Sequence, residues 1–189
     1  LPFIAQFEAA AWAINLHVHI LDGDSAQWAE AAAAIAGFSH VRVTLTAEAS
    51  GAHGQGLAYA RRYYHAVRYI RLFDELRQWR RPMWMLDADA QLLRDPRALL
   101  SSLNRYDVAF KSYPCCFEPV LKIDASCVGI SPTPLGLEFA RRVAAYIAYW
   151  KSRGTWEWGV DQLGLFSSYA HMSDQGREPA TLFLNDTHV

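Results

Sequence analysis

Apolar and polar residues alternate with period two in Leu16–Leu21 (LHVHIL) and Val41–Thr46 (VRVTLT), which predicts two strands with two distinct faces. Asp22-Gly23-Asp24 ends the first. Ser25 is placed to cap an Ala-rich helix over Ala26–Ala36 that stops at Gly37. A second Ala-rich helix is predicted for Pro2–Ile14. After a loop holding Gly51, Gly54 and Gly56, the period changes to helical. Ala66, Tyr69, Ile70, Phe73 and Leu76 form one stripe of a helix over Leu57–Trp79, and Pro82 stops it. Met83–Leu86 (MWML) is apolar throughout, as in a covered central strand. Downstream, a helix from Asp95-Pro96 toward Leu103, strands at Asp107–Phe110 and Val128–Ile130, and helices at Leu135–Tyr149 and Asp161–Ser168 are predicted. Strands that alternate with helices predict an α/β domain of three layers, with a mainly parallel central sheet and helices on both faces. With no internal repeat or Gly/Ser linker, residues 1–189 read as one domain.

Composition narrows the function classes. The 189 residues are 52% hydrophobic and 20% charged, enough for a sizeable core and too apolar for wholesale disorder. Eighteen basic residues stand against 19 acidic ones, so a broad basic nucleic-acid surface is excluded and no nucleic-acid partner is expected. No run approaches the roughly 18 apolar residues that would span a bilayer. Cys115, Cys116 and Cys127 fit no zinc spacing and read as buried, reduced thiols of a cytoplasmic protein. His17 and His19 share a strand face and could take a metal. Nothing else in the sequence supports a site there, so they read as a satisfied or exposed pair.

The candidate chemistry lies in MWMLDADAQLLRDP, Met83–Pro96, where an apolar strand delivers Asp87 and Asp89 at its carboxyl end, the place where open α/β sheets bind ligands. Residues two apart on a flat strand lie roughly 6.6 Å apart, whereas two oxygens of one Mg²⁺ shell span about 4 Å. Both aspartates chelate one ion only if the chain bends at Ala88; otherwise one binds the ion and the other holds a ribose hydroxyl or a metal-bound water. A hard cation of this kind completes its shell with phosphate oxygens and neutralises a departing nucleoside diphosphate. The plain alternative is that these aspartates open a loop and cap a helix.

Here the chain resembles the GT-A glycosyltransferases, which use nucleotide-sugar donors. Four features carry the resemblance, from about Tyr59 onward. They are YARRYYHAVRYIRLFDEL, similar to a Y-x-x-x-R-[FY] helix through Tyr64 and Arg68; the Asp87–Asp89 strand with LLRDP; KIDASCVGISPTPLGLEFARRV; and WEWGVDQLGL, similar to W-x-x-D-Q-x-x-[LF]. The resemblance implies Mn²⁺ or Mg²⁺, a UDP- or GDP-sugar donor, and an acceptor that is a sugar, a lipid-linked glycan or a protein. Asp89 is then the main metal ligand, Asp87 contacts ribose or metal, and Ala88 lies between them at the donor. Arg68 holds diphosphate or orients Asp87, and Tyr64 sits near the base. Asp124 and Ser126 face the donor sugar. Asp161 and Gln162 lie near the reacting centre, Trp156 and Trp158 stack on a sugar, and His188 is a further metal ligand. The family's first strand would precede the Pro2–Ile14 helix, so the chain reads as a domain truncated there.

Each residue also has a plainer reading. Arg68 is otherwise a solvated helix charge, Tyr64 part of an aromatic face, Trp156 and Trp158 packing, Asp161 a helix cap, and His188 an untethered tail residue. Two other functions compete. A haloacid-dehalogenase-type phosphatase also presents D-x-D after an apolar strand, but on its first strand and with Thr or Val where this chain has Gln91. A sugar- or protein-binding module without catalysis is the other.

Overall fold

A computed structural model describes residues 2–87, 94–154 and 157–185. The chain divides into two compact units. One holds the residues up to Ala60 and, of the described residues, 94–97; the other holds Arg61–Asp87 and the chain from Ala98 onward, so the helices over Leu57–Trp79 and Arg97–Ser102 each begin in the first unit and continue in the second.

In the first unit, α1 (Pro2–Ala9) is followed by β1 (Ile14–Leu21), α2 (Ser25–Ala36) and β2 (Val41–Glu48). The first helix is shorter than its alanine content predicts. Ala11 turns left-handed at φ 53°, Trp12 packs edge-to-face on Phe7, and Ile14 already pairs with Val41. Strand pairing overrides helix propensity at that point. The α2 cap is Asp24 rather than Ser25: its carboxylate accepts from the Gln27 N–H at 2.8 Å, and the Gln27 side chain accepts from the Asp24 N–H at 3.0 Å. The Gln27 and Asp24 N–H groups would otherwise lack helical partners. β1 and β2 pair in parallel from Ile14↔Val41 to Leu21↔Glu48.

Glu8 anchors α1 to the start of β2. Its carboxylate accepts from the Ser39 N–H at 2.7 Å and hydroxyl at 2.9 Å, and from the His40 and Val41 N–H groups at 2.9 and 3.0 Å. Those bonds, the Ser39 N–H foremost, hold its pKa down at about 2 against an ordinary 4.5.

The second unit carries α3 (Leu57–Trp79) from Arg61 onward, then β3 (Met83–Leu86), α4 (Arg97–Ser102), β4 (Val108–Ser112), β5 (Ile123–Ile130), α5 (Pro134–Arg153), α6 (Val160–Asp174) and β6 (Thr181–Leu184). Its four-stranded sheet has the order β3-β5-β4-β6. β5 runs antiparallel to both β3 and β4, and β4 is parallel to β6. The fold is therefore mixed α/β. The single, mainly parallel, three-layer sheet expected from the sequence is not formed among the described residues: β1 and β2 make a sheet of their own. The cause is connection length. Only Tyr113–Lys122 joins β4 to β5, and a parallel return needs a crossover of a dozen or more residues. β5 also begins five residues earlier than predicted, and β6 was not legible as a strand.

Val108, Phe110, Val128 and Ile130 are fully buried with Phe139, Ile147, Leu165 and Met172 of the two long helices. On α3 the most deeply buried residues are Ala60, Ala66, Val67 and Leu76, while Ile70 and Phe73 are half-buried. Asp107 ties the far end of the sheet together. Its backbone bonds Ala180 and Ser131, and its carboxylate accepts from the Ala180 N–H at 2.7 Å and from the Thr133 hydroxyl that caps α5. A Cβ at Gly136 would overlap the Ser131 carbonyl and lie 2.9 Å from that of Asp107, so the first turn of α5 approaches as only glycine allows. Of the three thiols, Cys127 alone is buried; Cys115 is exposed and Cys116 half-buried, because they fall in the turn after β4. No helix among the described residues is long and apolar enough to cross a membrane.

Because the Glu8 carboxyl is depressed in the folded state, its stabilisation is complete above about pH 4.5 and is lost as the pH falls toward 2. Thermal unfolding followed from about pH 6 to pH 2 should show Glu8→Gln with a flatter acid limb than the parent. Superimposable limbs would refute the role given to Glu8.

Candidate functional site

The second unit brings most of the described candidate residues to one end of its sheet. Asp87 follows directly on β3, and its N–H donates to the Ser126 carbonyl at 3.0 Å, continuing the β3–β5 ladder one residue beyond Leu86↔Cys127. Because β5 is antiparallel, its amino end lies at the carboxyl end of β3. Asp124 and Ser126 therefore flank Asp87. A parallel β5 would have placed them at the opposite edge. Asp124 accepts from the Ser126 N–H at 2.8 Å.

Arg68 organises this end. Its Nη1 donates to Asp87 Oδ1. Its Nη2 donates to the Ala125 carbonyl at 2.9 Å and to Asp161 Oδ2 at 3.4 Å. The guanidinium is 20% exposed, Asp87 28% and Asp161 10% at the side chain, so water screens these pairs weakly. One planar fork thus links α3, the end of β3, the β5 backbone and the first turn of α6. Arg68 is not a solvated helix charge, although its Nε is buried without a hydrogen-bond partner among the described residues. Burial works against the Arg68 charge, but Tyr69, Asp87 and Asp161 outweigh it and the pKa is raised.

Asp161 is buried and sits inside α6, whose N-cap is Gly159 at φ 77°. Its second oxygen accepts from the Gln162 N–H at 2.9 Å, so it is not the capping residue. A Cβ at Gly159 would strike Val120, which fixes the turn into α6. Tyr64 is half-buried, with its ring edge-to-face on Tyr63 at 5.9 Å. Trp158 is 70% exposed beside Gly159. Ala88, Asp89, Trp156 and His188 lie outside the described residues.

Two neighbours were not foreseen at this site. Tyr69 is fully buried, and its hydroxyl donates to the same Ala125 carbonyl at 3.0 Å. Burial, with the nearby carboxylates adding, holds its phenol well above the ordinary range. A tyrosine on the inner stripe needs a buried acceptor, and that requirement was the available signal. Cys127 is pushed up to about 12 by burial, then by Asp124 and Asp87, so it remains a thiol and is no nucleophile near neutrality.

Among the described residues the Asp87 Oδ2 accepts no hydrogen bond, while Arg68 fixes Oδ1. No group of three or more His, Cys, Asp or Glu side chains among the described residues is arranged to hold a metal. A shallow recess of about 300 Å³, lined by Ala13, Ile14, Asn15, His40 and Arg42, sits at the amino ends of β1 and β2 and contains none of the candidate residues. No family model, no curated protein and no solved structure matches this chain.

Removing Arg68 strands two poorly hydrated carboxylates and a carbonyl. Arg68→Ala should lower unfolding free energy by about 2–3 kcal/mol, and Arg68→Lys should recover only part of it, because three donors on one nitrogen cannot reach acceptors spread across the two ends of a planar fork. Urea unfolding measures both. An Arg68→Ala variant as stable as the parent would remove Arg68 from this role.

Proposed function

We propose that the chain is a metal-dependent glycosyltransferase that moves a hexosyl group from a nucleoside-diphosphate donor to an acceptor. The observation that carries this reading is the Arg68 fork. It holds Asp87 at the carboxyl end of an apolar strand, beside Asp124 and Ser126, and reaches Asp161 with its other terminal nitrogen. Two carboxylates, Asp87 and Asp161, meet a single guanidinium at the sheet end where α/β proteins bind ligands, and Asp124 adds a third charge near the adjoining Tyr69.

In this reading Arg68 is a positioning residue. Both of its terminal nitrogens already serve protein acceptors, which favours orienting Asp87 over gripping a diphosphate. Asp87 offers its Oδ2 to a Mn²⁺ or Mg²⁺ ion, with Asp89 as its companion. When bound, such an ion would neutralise charge on the departing nucleoside diphosphate. Asp124 and Ser126 present polar side chains to the donor sugar, and Ser126 can donate its hydroxyl. Asp161 and Gln162 open α6 next to Arg68, where the reacting centre is expected. Trp158 offers an exposed indole face to a sugar ring.

Calorimetry with UDP and with GDP tests this directly. One of the two should bind only when Mn²⁺ is present, and Asp87→Asn and Asp89→Ala should each weaken that binding at least tenfold. Should neither nucleotide bind with the metal, the non-catalytic module replaces this assignment. Metal-independent binding, or binding untouched by either substitution, would likewise overturn it.

A further inference from the structure

The first unit carries a second group of titratable side chains, remote in sequence from Asp87. Strand alternation puts His17 and His19 on one face of β1, and the parallel register sets Thr46 opposite His19. The imidazole rings lie nearly parallel, 14° apart, with centroids 6.5 Å apart. Both aim a nitrogen at one atom: His19 Nδ1 lies 2.7 Å and His17 Nε2 lies 3.0 Å from Thr46 Oγ1. On the far side of the His19 ring, Nε2 lies 3.3 Å from Glu48 Oε2.

A carboxylate only accepts, so in the neutral His19 ring the proton sits on Nε2. The Nδ1 lone pair is then turned toward Thr46. This is the outer-shell arrangement that orients a metal-binding histidine and raises its basicity, with Glu48 as the carboxylate. His17 supplies a second imidazole nitrogen to the same point once its own proton moves to Nδ1. Side-chain rotation of roughly an ångström brings each nitrogen to the 2.0–2.1 Å of an imidazole–metal bond, with the Thr46 hydroxyl swung aside.

We propose that His17 and His19 bind a borderline divalent transition-metal ion, Cu²⁺ or Zn²⁺, through His17 Nε2 and His19 Nδ1, with Glu48 holding the His19 ring and water filling the remaining positions. Two imidazoles suit these ions and not the hard Mn²⁺ or Mg²⁺ expected at Asp87. Affinity follows the Irving–Williams order, so Cu²⁺ binds more tightly than Zn²⁺. This site does not depend on the glycosyltransferase reading.

The test is Cu²⁺ and Zn²⁺ titration of the whole chain by calorimetry, with electron paramagnetic resonance of the Cu²⁺ form. His17→Ala and His19→Ala should each weaken binding at least tenfold. Glu48→Gln should weaken it about tenfold at unchanged stoichiometry. His171→Ala should leave it as it was. The resonance spectrum should show coupling to two nitrogens. On the unsubstituted protein, Zn²⁺ should shift the ¹⁵N signals of His17 Nε2 and His19 Nδ1, a readout no folding defect can mimic. Shifts confined to other histidines, coupling to a single nitrogen, or a His17→Ala/His19→Ala protein that binds like the parent would each overturn the proposal.

Discussion

The carboxyl end of β3 takes its form from one guanidinium. Arg68 leaves water at a cost that several acceptors together offset: two carboxylates and a main-chain carbonyl, each on a different element. Remove any of those elements and the charge is left poorly paired. Tyr69, the next residue on α3, doubles the hold on β5 by donating to the same Ala125 carbonyl. A helix, two strands and the opening of α6 are thereby fixed around a point where Asp87, Asp124 and Asp161 come together. Only a planar, multi-donor cation fits such a point.

Carboxylates serve two different ends in this protein. Glu8 and Asp107 use both oxygens as acceptors for nearby donors, largely backbone N–H groups, and so act as staples, one joining α1 to the start of β2 and the other locking β4 to α5 and β6. Among the described residues Asp87 is held on one oxygen only, and the nearby Asp124 adds negative charge rather than satisfying it. Saturated carboxylates stabilise; a carboxylate fixed on one side and open on the other is suited to a ligand. The same distinction marks His19, which Glu48 orients on one side while the other nitrogen meets the rotatable Thr46 hydroxyl.

Local pattern was read well where it was strong. Leu57–Trp79 and Met83–Leu86 fall where periodicity put them, since a long amphipathic stripe and an uninterrupted apolar run each admit few alternatives. The Ala-rich start was overextended because propensity is a weak prior against strand pairing at Ile14. The direction of β5 was missed altogether. Strand polarity has no signature in residue type; it follows from connection length and from what the neighbouring strands require.

The sequence alone determined that an apolar strand would surface at Asp87, that Arg68 would stand on a long helix upstream, and that His17 and His19 would share a face. Those are consequences of periods 2 and 3.6 and of the cost of burying charge. Only the tertiary structure decided what meets them. Arg68 reaches Asp161 across 93 positions of the chain, and His19 reaches Glu48 across 29. Such pairings depend on strand direction and register, which are settled by packing the whole unit and not by any local stretch of residues.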